Sequence, residues 1–495
     1  MRRSWHRLIA VPVAITLAAA ACSTSDDDDD AGGGDTVTEA TADTGGDTTE
    51  ATEDTGGDTT EGTTDETTGT TEGTTEATEA PGSTAPLAST PGPGSAGSVT
   101  VFGVEDSDNE AGAMQDALTE FGEANGITVT YVGRRDFEQQ INSQVLGGNP
   151  PDIAAFPQPG KLVQFAEDGE LLEIPEEVQT AVAENWDESF LAFSNVDGTQ
   201  YGVPFKNDLK SLVWYIPSVW EEKGYTVPET LTDFFALADE MIANGDTPLC
   251  VGIESQAATG WPFTDWVEEI VLREQGIDYY NQWVAHEVPF NDAPVVEAME
   301  RVIELWTKDG AVYASGGSIA ATAFGDNGEP LVDGTCMMHR QANFFSAFFP
   351  DGTEFGEGPG QVSTFYFPSD EGHPVLVGGI SAGAFRDAPE VWQVMEYLGS
   401  PEFANARQAA QSERVGGGNS GFLTGNRNAD QALWNELEQG FIETLTTADP
   451  AAFDGSDQMP ADVGSGSFWS EGTALVNGDQ DAQTTADNIE DSWPS

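Results

Sequence analysis

Apolar positions along the chain fall into three regimes. Residues 8–21 form one short apolar run, broken by Pro12 and preceded by Arg2, Arg3 and Arg7. Residues 23–97 carry almost no apolar side chain. From residue 98 onward the apolar positions recur with the periods of strands and helices. Residues 98–104 read as a strand, Met114, Ala117, Leu118 and Phe121 fall at helical spacing, and residues 127–132 read as a second strand. A helix over 137–146 closes at Gly147-Gly148, a short buried strand follows over 152–156, and a helix over 161–168 ends at Gly169. This β-α-β-α-β order predicts a largely parallel sheet with helices on its faces. Ligands of such sheets bind beyond the carboxyl ends of the strands, where loops 103–108 and 156–160 lie.

Further on, Tyr201-Gly202-Val203-Pro204 precedes an apolar strand over 211–215. Helical patterns cover 231–243, 266–274 and 295–308, and residues 336–339 read as a strand. A glycine-bearing strand pattern returns at 375–385, ahead of a helix over 388–398. A strand returning so late predicts that a distant segment completes the first sheet. Two α/β lobes joined by two or three crossovers follow, and the residues after the polar segment suffice for two cores.

Composition adds the setting. The basic start, short apolar run and small residues after it are the pattern of an export signal over 1–21, with an ordinary apolar terminus as the alternative. Ala19-Ala20-Ala21-Cys22 resembles a lipobox, which makes Cys22 the lipidation residue, although Ala19 stands where such motifs usually have leucine. Residues 22–97, rich in Thr, Gly, Asp and Glu and without a basic residue, cannot bury enough surface to offset chain entropy and read as a disordered, charge-extended tether. Acids outnumber bases by 86 to 17, a formal charge of −69. Such a surface repels nucleic acid, anionic lipid and phosphorylated ligands. Two cysteines remain, Cys250 and Cys336. In an exported chain a disulfide between them is the expectation, and two buried free thiols the alternative.

Five segments carry a resemblance to a known family. They are Gly148-Asn149-Pro150-Pro151-Asp152-Ile153-Ala154, Asp197-Gly198-Thr199-Gln200-Tyr201-Gly202-Val203-Pro204, Thr259-Gly260-Trp261-Pro262-Phe263-Thr264-Asp265-Trp266, the stretch from Trp283 through His286 to Asp292, and Gly378-Gly379-Ile380-Ser381-Ala382-Gly383. In this order and spacing the chain resembles the extracellular solute-binding proteins that include the maltose-binding proteins, and most closely their α-glucoside branch. The resemblance implies a two-lobed, type II periplasmic-binding-protein-like α/β fold with an interlobe hinge and a central ligand cleft. It implies one lobe from 98–208 and 375–415 and another from 209–374 and 416–495, with crossovers near 207–211, 374–378 and 416–421. It also implies an extracellular monomer, held to the membrane by its lipid, that hands a neutral sugar to ABC permease subunits.

A neutral sugar offers hydroxyls and apolar C–H faces, so its site needs carboxylates or amides beside flat aromatic rings. By resemblance the ligand-binding positions are Glu105 and Asp106 after the first strand, Phe156 after the Pro-Asp-Ile strand, and Asp208 at the hinge. Trp261, Asp265, Trp266, Phe344 and Trp469 complete the set. Where the family often has a charged pair, Pro159 and Gly160 stand instead. Each aromatic has core packing as its alternative, which Trp214 takes because it lies inside an apolar run; Glu268-Glu269 reads as a solvated helix face. Enzymatic readings are weaker. Gly379-Ile380-Ser381-Ala382-Gly383 fits a nucleophile elbow, but no histidine follows it. A glycosidase needs two opposed carboxylates, and no local motif selects a pair. No cofactor, metal motif or nucleic-acid partner is indicated.

Overall fold

A computed structural model describes residues 92–494. The signal-like run, Cys22 and all but the end of segment 22–97 lie outside the described residues. The first lobe opens as β1 (Ser98–Gly103), α1 (Glu110–Asn125), β2 (Thr128–Gly133), α2 (Phe137–Leu146), β3 (Ile153–Phe156) and α3 (Pro159–Glu167). β1 runs parallel to both β2 and β3. The two faces of this sheet build two cores, as a period of two requires. Val99, Val101, Val129 and Ile153 pack with Met114 and Leu118 of α1 on one side. Phe102, Ala154 and Phe156 pack with Phe137, Ile141 and Phe165 of α2 and α3 on the other.

A two-stranded hairpin follows, β4 (Asn195–Val196) and β5 (Thr199–Gln200), turning on Asp197-Gly198 with the Gly198 N–H donating to the Asn195 side chain. Then come β6 (Gly202–Leu209), β7 (Leu212–Tyr215), β8 (Leu249–Cys250), β9 (Val312–Tyr313), β10 (Met338–Arg340), β11 (Ser363–Tyr366), β12 (Val375–Ala384) and β13 (Ala451–Phe453). β12 lies antiparallel to β3 and β6 and parallel to β13, so the first sheet is completed by strands hundreds of residues away from its start. β7 to β11 form the second sheet, in the order β11-β7-β10-β8-β9. Its lobe is filled by helices Trp261–Val284 and Ala293–Thr307. Trp214, on the opposite face of β7, is 0% exposed among Phe345, Phe349 and Phe355, its indole N–H donating to the Gln341 carbonyl. A disulfide joins Cys250 of β8 to Cys336, with Cα atoms 5.6 Å apart.

The chain changes sheets between β6 and β7 and between β11 and β12; after β13, the last strand, Gly455–Gln458 begins a helical segment packed on Trp261–Val284. The glycines of 416–421 close the helix Pro401–Arg414, where the Gly417 N–H caps the Ser412 carbonyl at 2.7 Å. Directly after them the Gly421 carbonyl accepts from Asn343 of the second lobe at 3.0 Å. One expectation is corrected here: not all of 416–495 belongs to the second lobe, since β13 pairs with β12 at the first sheet's edge.

Candidate functional site

The sheets face each other across a cleft that opens beyond the carboxyl ends of β1 and β3. With its open mouth counted, it spans about 770 Å³. From the first lobe, Glu105, Glu110, Arg135, Glu138 and Gln158 reach it; from the second, Trp261, Asp265, Phe324, Phe344 and Trp469. Between them, Lys206, Asp208 and Lys210 line the junction. Those three alternate at i, i+2 and i+4 along and just past β6, so one strand face presents all three to the cleft.

Two buried ion networks are built on these lysines. Lys206 Nζ donates to Glu105 at 3.0 Å, and Arg407 donates to both oxygens of the same carboxylate at 3.1 and 3.2 Å. Burial works to raise the Glu105 pKa, but Arg407 and Lys206 outweigh it and hold the group at about 2. Lys210 pairs with Asp265 at 3.1 Å and with Asp454, and lies 3.7 Å from Asp457. Arg340 spans Asp265 at 2.9 Å and Glu269 at 2.8 Å. Burial raises Asp265 to about 6 against the pull of Lys210 and Arg340, and burial with the neighbouring Asp454 pushes Asp457 far upward. Glu268 and Glu269, read from sequence as a solvated face, are both 0% exposed. Glu268 accepts from the Gly455 and Ser456 N–H groups, and Glu269 takes the two arginines Arg273 and Arg340.

Four buried atoms on cleft-lining side chains have no hydrogen-bond partner in the protein. They are Asp208 Oδ1, Glu138 Oε2, Gln158 Oε1 and Trp469 Nε1. Burial raises the Asp208 pKa, with Lys206, 3.6 Å away, opposing it. Burial carries Glu138 to about 7. The aromatic wall is built from Trp261, whose ring centre lies 5.2 Å from Phe324 and 6.0 Å from Phe344. Gly260 sets Trp261 in place: its φ of 115° starts the helix, and a Cβ there would overlap the Trp469 carbonyl. Pro262 is accommodated in the first turn, where its missing N–H costs nothing.

Of the positions named from sequence, Glu105, Asp208, Trp261, Asp265, Phe344 and Trp469 line the cleft. Three do not. Asp106 binds Arg135 at 2.6 Å and touches the cleft only through it. Phe156 is 1% exposed because β3 alternation aims it, with Ala154, at the α2–α3 core. Trp266 is 3% exposed against Phe234, Trp306 and Phe367. Asp265, four residues after Trp261, shares its helix face, whereas Trp266 points away into the core. Sequence reasoning passed over Lys206 and Lys210, whose signal is the alternation of Lys206, Asp208 and Lys210. It also passed over Arg135, Glu138, Gln158 and Asp457, which carry no local signal of facing a cleft. Among the described residues no cluster of His, Cys, Asp and Glu side chains is arranged to hold a metal ion.

The model of the family described as bacterial extracellular solute-binding protein matches residues 106–405. The osmoprotective compounds-binding protein GgtB of Synechocystis is 37% identical over 82% of this chain and 96% of its own length. The α-glucosides-binding periplasmic protein AglE of Rhizobium meliloti is 34% identical over 80% of this chain and 87% of its own. Among solved structures, the bacterial solute receptor AcbH superposes with a TM-score of 0.68 at 19% identity, over 80% of this chain and 97% of that one. That likeness carries the two-lobed type II fold. With a hinge of strand crossovers, a cleft between the lobes and a family match spanning both, this chain belongs to the bacterial extracellular solute-binding proteins.

Proposed function

We propose that the chain is the lipid-anchored, extracellular binding component of an ABC importer, and that its cleft captures a small neutral α-glucoside and delivers it, as a monomer, to the permease subunits. The observation that carries this reading is the set of unpartnered atoms in the cleft. Atoms of the Asp208, Glu138 and Gln158 side chains and the indole N–H of Trp469, none hydrogen-bonded within the protein, lie buried beside the rings of Trp261, Phe324 and Phe344. A buried polar atom left unpaired is costly, so these atoms favour a ligand that offers them partners. A ligand that pairs with carboxyl, carboxamide and indole groups together is rich in hydroxyls, which both donate and accept, and one that fits between rings has an apolar face. A sugar has both. Glu105 and Asp265 already have cationic partners of their own, so a ligand charge is not needed to balance them. The α-glucosides-binding relative supports this sugar class; trehalose and sucrose belong to it, and as osmoprotective solutes they are also compatible with the name of the other relative.

Titration calorimetry with trehalose, sucrose and maltose should give saturable one-site binding without turnover. Tight binding of a quaternary ammonium solute with no response to any of the sugars overturns the reading. The anchor is tested separately: Cys22→Ala should release the chain from cells into the medium, and retention of the variant at the membrane would count against lipidation.

A further inference from the structure

One contact across the cleft has no counterpart among the groups that await a ligand. Arg135, in the turn just before α2 in the first lobe, reaches over to the second. Its guanidinium stays pinned to its own lobe, with Nε on Asp106 at 2.6 Å and Nη2 on Glu110 at 3.3 Å. Its Cζ sits 5.1 Å from the centre of the Phe324 ring and 5.7 Å from that of Phe348. Both rings belong to the second lobe, and they pack edge to face at 5.1 Å. Phe324 faces the cleft, whereas Phe348 faces a separate groove lined by Tyr313, Asp326 and Glu329. The stack of one cation and two rings is therefore a partition between the cleft and that groove.

We propose that Arg135 is a bar across this end of the cleft, which restricts the ligand to short glycosides and slows their release. The proposal rests on the sugar reading for its ligand, though not for its conformational part. A chain extended by one sugar unit toward this end meets a guanidinium already fixed by two carboxylates and two ring faces. A cation seated on desolvated rings resists displacement, and here it also ties the two lobes together. Beyond the bar, the groove offers an exposed tyrosine and carboxylates, chemistry that a sugar would use if the way were open.

The test uses the mature chain and the variants Arg135→Ala, Phe348→Ala, their combination, and Arg135→Lys. Affinities and release rates are measured for maltose, maltotriose and maltotetraose. The native protein should prefer the disaccharide. Each alanine variant should release it about tenfold faster and lose that preference. The double variant should do no worse than the worse single one, because both remove the same contact. Arg135→Lys keeps a charge over the rings without the fork to Asp106 and Glu110, and should fall between. An unchanged length profile in variants that melt normally overturns the proposal, as does a native preference for the longer sugars. If the native chain binds no glucoside, the sugar reading fails by itself. The bar is then read without ligand, from the interlobe distance between a fluorophore pair: Arg135→Ala should widen it, and an unchanged distance overturns the bar as well.

Discussion

At the scale of single residues, the cleft separates groups that hold the site from groups left for a ligand. Asp208 keeps one buried oxygen free of hydrogen bonds, 3.6 Å from Lys206, and Trp261 turns a ring toward the cleft. Asp208→Asn and Trp261→Ala should each weaken sugar binding by about ten- to a hundred-fold with little change in melting temperature, since a charged hydrogen bond contributes about 1.5–3 kcal/mol. Trp214→Ala, in the second lobe's core, should instead cost about 3–5 kcal/mol of stability. Glu138 gives a different signature. Its pKa is raised from 4.5 to about 7 by burial, so the folded chain holds this proton more tightly than the unfolded one. Its contribution to stability therefore falls as pH rises between those two values and is level above them. Glu138→Gln should remove that decline, with a gain of the order of 3 kcal/mol at about pH 8, read from denaturant midpoints across pH. An identical pH profile for the variant would show that Glu138 ionises freely. The residues legible in advance were those tied to a motif, such as Trp261 and Asp265. Glu138 and Gln158 were not, because facing a cleft depends on how α2 and the loop after β3 meet a lobe contributed by residues far along the chain.

At the scale of elements, alternation and helix spacing gave β1 to β3 and α1 to α3 nearly residue for residue, because each is written in local periodicity. The place of β13 was missed for the same reason. Glycines at 416–421 serve both helix closure and the approach of the chain to Asn343, and only the pairing of β12 with β13 reveals that the chain meets the first sheet again after them. Gly160 is a second case. The sequence reveals that a charged pair is missing there, but not why. The start of α3 lies backbone to backbone against the turn after Gly455–Gln458, and a Cβ at Gly160 would overlap the Met459 carbonyl. Gly160→Ala should cost about 1–3 kcal/mol of stability or push that segment away, and so weaken binding without touching the ligand. Normal melting with normal affinity would show that the turn yields freely. The Cys250–Cys336 bridge closes a loop with a sequence separation of 86 residues. Replacing both cysteines by alanine should lower stability by about 4–5 kcal/mol on the chain-entropy account, measured by chemical denaturation.

At the scale of the whole molecule, charge and function are set by different populations of acids. The formal charge is −69, and most of the described lysines and arginines are already committed to ion pairs, several of them buried around the cleft. Little positive charge is left to offset the remaining carboxylates, so the surface repels itself. Between about 0.01 M and about 1 M salt the Debye length falls from about 30 Å to about 3 Å. Over that range the exposed repulsion is screened, whereas the networks of Lys206 and Lys210 are shielded from the salt by burial. The melting temperature should therefore climb steadily with salt. Affinity should behave otherwise. A neutral glycoside feels no long-range field, so its dissociation constant should stay flat over the same series, while a cationic solute would be drawn in at low salt and bind progressively more weakly as salt rises. Melting and calorimetry on one salt series thus read two independent properties. A flat melting curve would show that surface repulsion contributes little. A dissociation constant that rises steeply with salt would mean that the cleft takes a cation, and that its acids serve to neutralise a ligand charge rather than to accept hydrogen bonds from hydroxyls.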